Sequence, residues 1–319
     1  MTTTNANNRQ PTKFDYAEPT KFRFSVIKLP KVEYFCTAAN IPGISLGQAN
    51  MPTPLKDVPI PGDKLDYDNL SMKDFNEFPP LSGIYPFSFN DFHFDLLCVR
   101  NDDSSVVEHF WKNQINYIDL NLWANISKEK GIYIDVGSHT GLFTIVSLKS
   151  NPSNLVISVE PSYLNLARMM SNLRLNDLVR NHVKILAAAS DMTGVKNFTF
   201  HPDHSFMSKG GKITENGEKI QVLKLDDISI NDDRKVMGIK IDTEGEDYKV
   251  LLGAKNIIKN NLPDILIEVR EENKLLIREF LITLGYKFFA LHDKLVLTDL
   301  IDLQINESIN IYASTRYQN

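Results

Sequence analysis

Two glycines, Gly137 and Gly141, mark the stretch of this chain in which residue types and spacing point most directly to chemistry. They follow a short apolar run that carries Asp135 near its end, and an amphipathic segment begins at Leu142. In α/β proteins, a strand, a glycine turn and a helix bring bare backbone close to a nucleotide-like ligand. The stretch therefore predicts a binding site for a ligand of that kind.

The spacing of the glycines narrows the choice of ligand. A phosphate-binding loop would place Gly-Lys-Ser or Gly-Lys-Thr at the start of the helix, and this turn has neither. A dinucleotide turn would need the pattern G-x-G-x-x-G, whereas Ser138-His139-Thr140 separates the two glycines here. The acid before the turn suits a ligand with cationic or hydrogen-bond-donating groups. S-adenosylmethionine fits, since it carries an ammonium and a sulfonium and no phosphate.

Alternating strand-like and helix-like segments would position this turn. Apolar runs of strand length lie at 132–136, 155–160, 183–187, 237–242 and 264–268, with two more near 286–291 and 308–313. Segments with helical apolar spacing lie between them, including 250–258 and 276–284. The pattern predicts an α/β fold with a doubly wound, mostly parallel sheet. Ligands of such sheets bind beyond the carboxyl ends of the strands.

Acids stand at those predicted strand ends. Glu160 ends the second strand, where its carboxylate could accept both hydroxyls of a ribose, and Asp191 follows the third. Asp242 and Glu244 follow the fourth. These last two acids could instead cap a helix that starts near Gly245, because acids favour helix N-termini.

Seven short strings, in this order, resemble the FkbM family of S-adenosylmethionine-dependent methyltransferases. They are Ile134-Asp135-Val136-Gly137-Ser138-His139-Thr140-Gly141, Val159-Glu160-Pro161, Asn172 to Asn176, Ala188-Ala189-Ser190-Asp191, Leu225-Asp226, Ile239-Lys240-Ile241-Asp242-Thr243-Glu244-Gly245 and Ile265-Leu266-Ile267-Glu268. The resemblance covers about residues 84–290. It implies a class I methyltransferase fold, S-adenosylmethionine as cofactor and O-methylation of a hydroxyl on a sugar, glycan or similar small acceptor.

The resemblance also implies a cofactor site. Its predicted members are Asp135 near the ammonium of the methionine part, Gly137, His139 and Gly141 beneath that part, Glu160 on the ribose hydroxyls and Asp191 near the adenine. The family commonly has asparagine where this chain has His139.

The predicted catalytic residues are Asp242, Glu244 and His204. Methyl transfer is an in-line displacement, so alignment of acceptor, methyl and sulfur is expected to supply much of the rate. A base that takes the hydroxyl proton adds to it. Asp242 is the first candidate for that base and His204 the second, while Glu244 would support the turn or the acceptor. The string His201-Pro202-Asp203-His204 lies in a polar loop without cysteine, so a solvated loop is favoured over a metal site.

The segment before residue 84 differs in composition, with prolines concentrated between Pro42 and Pro86. We expect a disordered tail over 1–20, a loop-rich β-type extension over 21–80 and a methyltransferase domain over 84–319 with its core at 131–290. Residues 21–72 resemble the N-terminus of tail-tube or baseplate proteins of contractile-tailed phages. The strings are Leu29-Pro30-Lys31-Val32-Glu33-Tyr34-Phe35, Asn40-Ile41-Pro42-Gly43-Ile44 and Pro59-Ile60-Pro61-Gly62-Asp63. This resemblance implies docking onto virion components, or a passive fusion.

Composition excludes several partners. The net charge of −5 over 319 residues argues against nucleic acid held by bulk electrostatics, and no apolar run reaches the length of a membrane span. Two cysteines cannot form a disulfide framework. The expected location is the cytoplasm, that of a bacterial host if the source is viral, or a virion. Two other functions stay open. One is an inactive virion adaptor with a methyltransferase fold. The other is an NAD-dependent oxidoreductase, which would account for Glu160, although this sequence lacks the third glycine of the dinucleotide turn.

Overall fold

The computed structural model describes residues 25–29, 32–36, 81–89, 91–99, 102–103, 105–107, 118–200, 211–291 and 295–316. The chain divides into two compact units, residues 1–56 and 57–319. In the first unit, β1 (Ser25–Leu29) and β2 (Val32–Cys36) form an antiparallel hairpin.

The second unit alternates strands and helices. Its described elements, in chain order, are β3 (Ser82–Phe89), β4 (Phe92–Val99), α1 (Ile118–Ile126), β5 (Ile132–Val136), α2 (Leu142–Ser150), β6 (Leu155–Glu160), α3 (Tyr163–Leu175), β7 (His182–Leu186), β8 (Ala188–Ala189), β9 (Gly194–Thr199), β10 (Lys212–Thr214), β11 (Glu218–Leu223), β12 (Val236–Ile241), α4 (Asp247–Gly253), α5 (Lys255–Asn261), β13 (Asp264–Val269), α6 (Lys274–Ile282), β14 (Lys287–Leu291), β15 (Leu295–Thr298) and β16 (Ile309–Ser314).

Eight of these strands form one sheet in the order β15-β14-β16-β13-β12-β5-β6-β7. The run from β13 to β7 is parallel, and β16 is antiparallel to both of its neighbours, β13 and β14. The chain moves from β5 to β6 and β7, and later returns to place β12 on the other side of β5. This reversal creates a crevice at the carboxyl ends of β5 and β12. The arrangement is the class I methyltransferase-like α/β fold that the sequence predicts.

Buried apolar residues on both faces explain why β5 is central. All five of its residues are buried. Ile132, Ile134 and Val136 face a core that includes residues of α4, α5 and α6. Tyr133 faces the opposite core, where Trp123 of α1 meets its ring edge to face at a centroid distance of 5.8 Å. Helices thus cover the sheet on both sides, as a parallel sheet requires.

The structure differs from the sequence expectations in two places. Residues 250–258, predicted as one helix, belong to α4 and α5, which meet at Ala254. Within the polar segment before Gly217, residues 212–214 form β10, which belongs to a small sheet of order β10-β9-β11-β8.

Within the described ranges, we find no helix that has both the length and the apolar content needed to cross a bilayer.

Candidate active site

A cavity of about 330 Å³ lies at the carboxyl ends of β5, β6 and β12, where the strand order reverses. Its walls come from the glycine turn, the end of β6, the segment after β12 and an apolar patch of the small sheet. The lining includes Gly137, Ser138, His139, Glu160, Asn165, Ala188, Ala189, Phe198, Lys240, Asp242, Glu244, Glu246 and Glu268. The position agrees with the strand-end rule.

Both glycines of the turn occupy positions that a side chain would not fit. Gly137 has a φ of 71°, and a Cβ there would lie 1.9 Å from the carbonyl oxygen of Asp242. Gly141 has a φ of 91°, and a Cβ there would lie 2.5 Å from Cγ of Met169. The turn therefore passes directly against the backbone that follows β12, which brings Asp242 to the same wall.

Glu160 is the last residue of β6 and is 5% exposed. Its Oε1 accepts hydrogen bonds from the backbone N–H of Ser162 at 3.0 Å and from Nδ2 of Asn165 at 3.1 Å. Its Oε2 accepts one from the backbone N–H of His139 at 2.9 Å. The carboxylate thus ties the glycine turn to the start of α3 while it lines the cavity.

His139 adopts a left-handed conformation with a φ of 49°. Among non-glycine residues, asparagine, aspartate and histidine are enriched in this region, so histidine can replace the family's asparagine without a new backbone shape. Its Nε2 is buried and has no hydrogen-bond partner among the residues that the structure describes. The side chain lines the cavity.

Lys240 is a buried ammonium in this wall, with a side chain 7% exposed. Its Nζ lies 3.2 Å from Oδ2 of Asp242 and 3.9 Å from Oδ1 of Asp135, and it donates to the carbonyl oxygen of Gly137 at 3.1 Å. It also lies 5.0 Å from the ring centre of Phe143. Burial alone would lower the pKa of Lys240, but the surrounding carboxylates, first that of Asp242, raise it above its usual range. Lys240 is therefore a fixed positive charge.

Asp242 and Glu244 point to the cavity from the segment between β12 and α4. The Asp242 side chain is 39% exposed. Glu244 accepts a 2.6 Å hydrogen bond from Arg270, which also pairs with Glu268 at 3.1 Å. The turn itself is held by Asp247, whose carboxylate accepts from the backbone N–H groups of Thr243 and Gly245. Asp247 thus binds the backbone near the start of α4.

Three predicted cofactor residues, Asp135, Gly141 and Asp191, lie outside the lining. Asp135 is fully buried behind the wall, and the ammonium next to it in this structure is that of Lys240. Asp191 is partly exposed and lies 3.9 Å from Nζ of Lys196, whereas Ala188 and Ala189 line the cavity. The roles predicted for Asp135 and Asp191 stay predictions. His204 lies outside the described residues.

Lys240, Asp119 and Phe143 are among the lining residues to which the sequence analysis gave no role. Asp119, in α1, accepts a hydrogen bond from Asn310 at 3.1 Å, and burial raises its pKa. Lys240 could have been noticed as the one charge in the otherwise apolar strand VMGIKI. Asp119 and Phe143 carry no such signal, because acids and aromatic residues are ordinary on helices.

The lining is rich in carboxylates. Burial raises the pKa of Glu268, and the nearby charge of Asp242 raises it further. In the described part of the chain, no group of three or more histidine, cysteine or acidic side chains is placed to hold a metal ion.

Comparison with known proteins identifies a domain within the second unit. Residues 135–288, a little under half of the chain, match the family model described as "Methyltransferase FkbM domain". No curated protein sequence matches the chain.

Several solved structures align with the chain at low identity. The methyltransferase FkbM from Methylobacillus flagellatus KT aligns at 16% identity and a TM-score of 0.41, over 65% of this chain and 52% of that one. This chain therefore spans about half the length of that relative. M. jannaschii TYW2 in complex with AdoMet aligns at 13% identity and a TM-score of 0.38, over 74% of this chain and 86% of that one. A SAM-dependent methyltransferase from Agrobacterium tumefaciens aligns at 10% identity and a TM-score of 0.41, over 75% of this chain and 72% of that one.

The phage-like resemblance of residues 21–72 finds no support in these comparisons, and docking onto a virion stays a prediction. The match beginning at Asp135, in contrast, includes the glycine turn, Glu160 and the segment from Lys240 to Gly245. Residues 135–288 are similar to a methyltransferase domain of the FkbM type, which indicates S-adenosylmethionine as the cofactor.

Proposed function

We propose that the chain transfers a methyl group from S-adenosylmethionine to a hydroxyl of a sugar, glycan or similar small acceptor. The observation that carries this proposal is the pairing of Asp242 with Lys240 at 3.2 Å, directly against the glycine turn. A partly exposed carboxylate there can receive a proton from an acceptor, while the buried ammonium holds it in place.

The cofactor would lie across the turn with its ribose at Glu160. In the described structure, Oε2 of Glu160 accepts one hydrogen bond, so a lone pair remains for a ribose hydroxyl. Beside it, the buried atoms Ser138 Oγ and Asn165 Oδ1 have no hydrogen-bond partner among the described residues. Buried polar atoms of this kind are normally satisfied by a partner, which supports a polar ligand at this end of the cavity.

An apolar patch at the cavity supports an aromatic ring. Ala188 and Ala189 contribute small buried side chains, and Phe198 packs against Phe200 at a ring-centre distance of 4.8 Å. This patch would accept the planar adenine. The methyl group would then face the segment after β12.

The acceptor would bind where the acids converge. In-line transfer requires the acceptor oxygen, methyl carbon and sulfur to be aligned, and a base must take the hydroxyl proton as the new C–O bond forms and the C–S bond breaks. Asp242 is the proposed base. Glu244, held by Arg270, would bind a neighbouring hydroxyl of the acceptor. Carboxylates accept hydrogen bonds from hydroxyls and repel anions, so this wall favours a neutral polyhydroxylated acceptor.

Calorimetry with the full chain tests the proposal. The wild type should bind S-adenosylmethionine, and Asp242→Asn should bind it with an affinity within about twofold, since the neutral amide keeps the shape of the site. Transfer of labelled methyl to a panel of underivatised sugars and glycan fragments should fall by roughly a hundredfold or more in that variant.

The matched control is Asp302→Asn, an exposed aspartate of the same unit, which should behave as the wild type in both measurements. Failure of the wild type to bind S-adenosylmethionine would remove the enzyme proposal and leave the inactive-adaptor reading. Full transfer by Asp242→Asn would show that another group takes the proton.

A further inference from the structure

Three polar residues form a row across the middle of the sheet. Lys240 of β12 is the register partner of Asp135 of β5, which is the partner of Ser158 of β6. Lys240 and Asp135 are the only charged residues of their strands, Ser158 is the only polar residue of β6 before Glu160, and all three are buried. A parallel sheet covered on both faces is expected to be apolar inside, so a row of three polar side chains requires an explanation.

The row continues through hydrogen bonds to the edge of the parallel strands. Thr144 of α2 donates to Oδ2 of Asp135 at 2.7 Å and lies 2.7 Å from Oγ of Ser158. Ser158 Oγ lies 3.0 Å from Nε2 of His182, the first residue of β7. Thr144, Ser158 and Asp135 are fully buried.

When Asp135 is ionised, the number of available protons fixes which group donates in each hydrogen bond of this hydrogen-bond chain. Thr144 has one hydroxyl proton and gives it to the carboxylate, so Ser158 must donate to Thr144. Ser158 then has no proton left, so His182 must donate from Nε2. Every donor points towards Asp135. If Asp135 were protonated on Oδ2, the whole chain would reverse and Nε2 of His182 would accept.

The other oxygen of Asp135 faces the ammonium. Oδ1 is buried without a hydrogen-bond partner within the described ranges and lies 3.9 Å from Nζ of Lys240. Carboxylates face Lys240 from three elements: Asp242 at the end of its own strand, Asp135 from β5 and Asp119 from α1. Asp135 is the only one of these three that is fully buried, which suits a permanent partner.

We infer that Asp135 is the fixed counter-ion of Lys240, kept ionised by the chain that starts at His182, and that Lys240 is a positioning residue for Asp242. The role given to Asp242 rests on the proposed function; the polar chain does not. When Asp242 takes a proton from the acceptor and becomes neutral, Lys240 keeps Asp135 as its partner and remains in place.

The titration behaviour of His182 agrees with this direction. Burial and, to a smaller extent, the charge of Lys184 lower the pKa of His182 to about 4, so the imidazole is neutral near pH 7. Burial raises the pKa of Asp135 above its usual range, and Lys240 and the hydrogen bond from Thr144 oppose that rise. A buried carboxylate therefore depends on those two partners for its charge.

Nuclear magnetic resonance of the full chain with ¹⁵N-labelled histidine tests the inference without any acceptor. The His182 signals are assigned by their loss in His182→Gln. We expect a neutral ring protonated on Nε2 between pH 6 and 8. A ring protonated on Nδ1, or a charged ring, would overturn the directed chain.

A substitution at the far end of the row provides the sharper measurement. In Lys240→Met the carboxylate loses its counter-ion and is expected to take a proton on Oδ2, so His182 should switch to the Nδ1-protonated tautomer. Lys240→Arg keeps the charge and should keep the Nε2 tautomer, which also controls for disturbance of the fold. Lys184→Met, an exposed neighbour of His182, should leave the tautomer unchanged.

Each outcome is informative. An unchanged tautomer in Lys240→Met, with circular dichroism like the wild type, would overturn the coupling. Should Lys240→Met fail to fold, a reversed tautomer in Lys240→Arg would overturn it equally. If the tautomers behave as expected but the wild type does not bind S-adenosylmethionine in the calorimeter, the proposed function fails. The inference about the hydrogen-bond chain from His182 to Asp135 is then still supported.

Discussion

The carboxylate of Glu160 accepts three hydrogen bonds from the protein before it meets any ligand. Its oxygens hold the backbone of His139 on one side and α3 on the other. A residue chosen from the sequence as a ribose ligand is therefore also a structural connection between the glycine turn and the next helix. Its substitution should affect folding and binding together.

We predict that Glu160→Gln weakens S-adenosylmethionine binding by about tenfold to a hundredfold and lowers the free energy of unfolding by about 1–3 kcal/mol. The amide group replaces one acceptor oxygen with a donor, so one of the three protein donors loses its partner. Calorimetry and thermal unfolding measure the two effects.

The matched control, Glu279→Gln, changes an exposed glutamate of α6 and should alter neither quantity. A variant that binds as tightly as the wild type would mean that Glu160 does not contact the ribose.

For single residues, those at or after the end of a strand were easier to predict from the sequence as site residues than those inside a strand. Glu160, Asp242 and Glu244 were found because the strand-end rule needs only the position of each strand. Lys240 and Ser158 lie inside strands, and their role depends on which residues of neighbouring strands they face. That register is set by tertiary packing and cannot be read from one strand.

The glycine turn connects two elements that are far apart in sequence. The backbone of Gly137, after β5, lies against the backbone of Asp242, after β12, with no room for a methyl group. The distance between the cofactor turn and the proposed base is thus fixed by contact between two main chains.

We predict that Gly137→Ala abolishes S-adenosylmethionine binding and lowers stability by more than the conformational cost of its positive φ. Gly285→Ala separates the two causes, since Gly285 has a φ of 83° and open space around it. That control should lower the free energy of unfolding by about 1–2 kcal/mol, the penalty of placing a non-glycine residue in the left-handed backbone region, and should leave binding intact. Differential scanning calorimetry and titration calorimetry measure both. Equal losses in the two variants would contradict the main-chain contact.

Element boundaries were predictable where local pattern decides them. Apolar runs predicted seven of the eight strands of the large sheet to within a residue or two, and β15 was not predicted. The break between α4 and α5 has a distant cause: a Cβ on Gly253 would lie 2.0 Å from the carbonyl oxygen of Ser190. The helix thus packs closely on that segment at the point where it ends, and the apolar periodicity of its own sequence gives no sign of this contact.

For the whole molecule, His182 contributes to the pH dependence of the free energy of unfolding. Its pKa in the folded chain is about 4, below its ordinary value of 6.5. Between these values the unfolded chain binds a proton that the folded chain does not, so protons favour unfolding. The stability contributed by neutral His182 is complete above pH 6.5 and is lost as the pH falls towards 4.

We therefore predict that the free energy of unfolding of the wild type, relative to His182→Gln, decreases by up to about 1.4 kcal/mol per pH unit across that window. Urea titrations at half-unit pH steps measure it. His93→Gln, at an exposed position of β4, is the control and should not reproduce the change. A constant difference between wild type and His182→Gln would contradict the buried neutral ring.

The class of fold could be predicted from the alternation of strands and helices, but the small sheet that completes the fold could not. The small sheet that supplies Phe198 to the cavity consists of short strands, one of them in a segment rich in serine, lysine and glycine. Such strands form because neighbours exist to pair with them, so their own residues predict little.

The position of β16 has a consequence for how the second unit is made. β16 lies between β13 and β14, although it follows both in sequence. During vectorial synthesis, the β14–β15 hairpin cannot join the sheet until residues 309–314 have left the ribosome. Until then, the edge of β13 is open to pairing with other chains. Refolding rate and aggregation of this unit should therefore depend most on how quickly its late strand is captured.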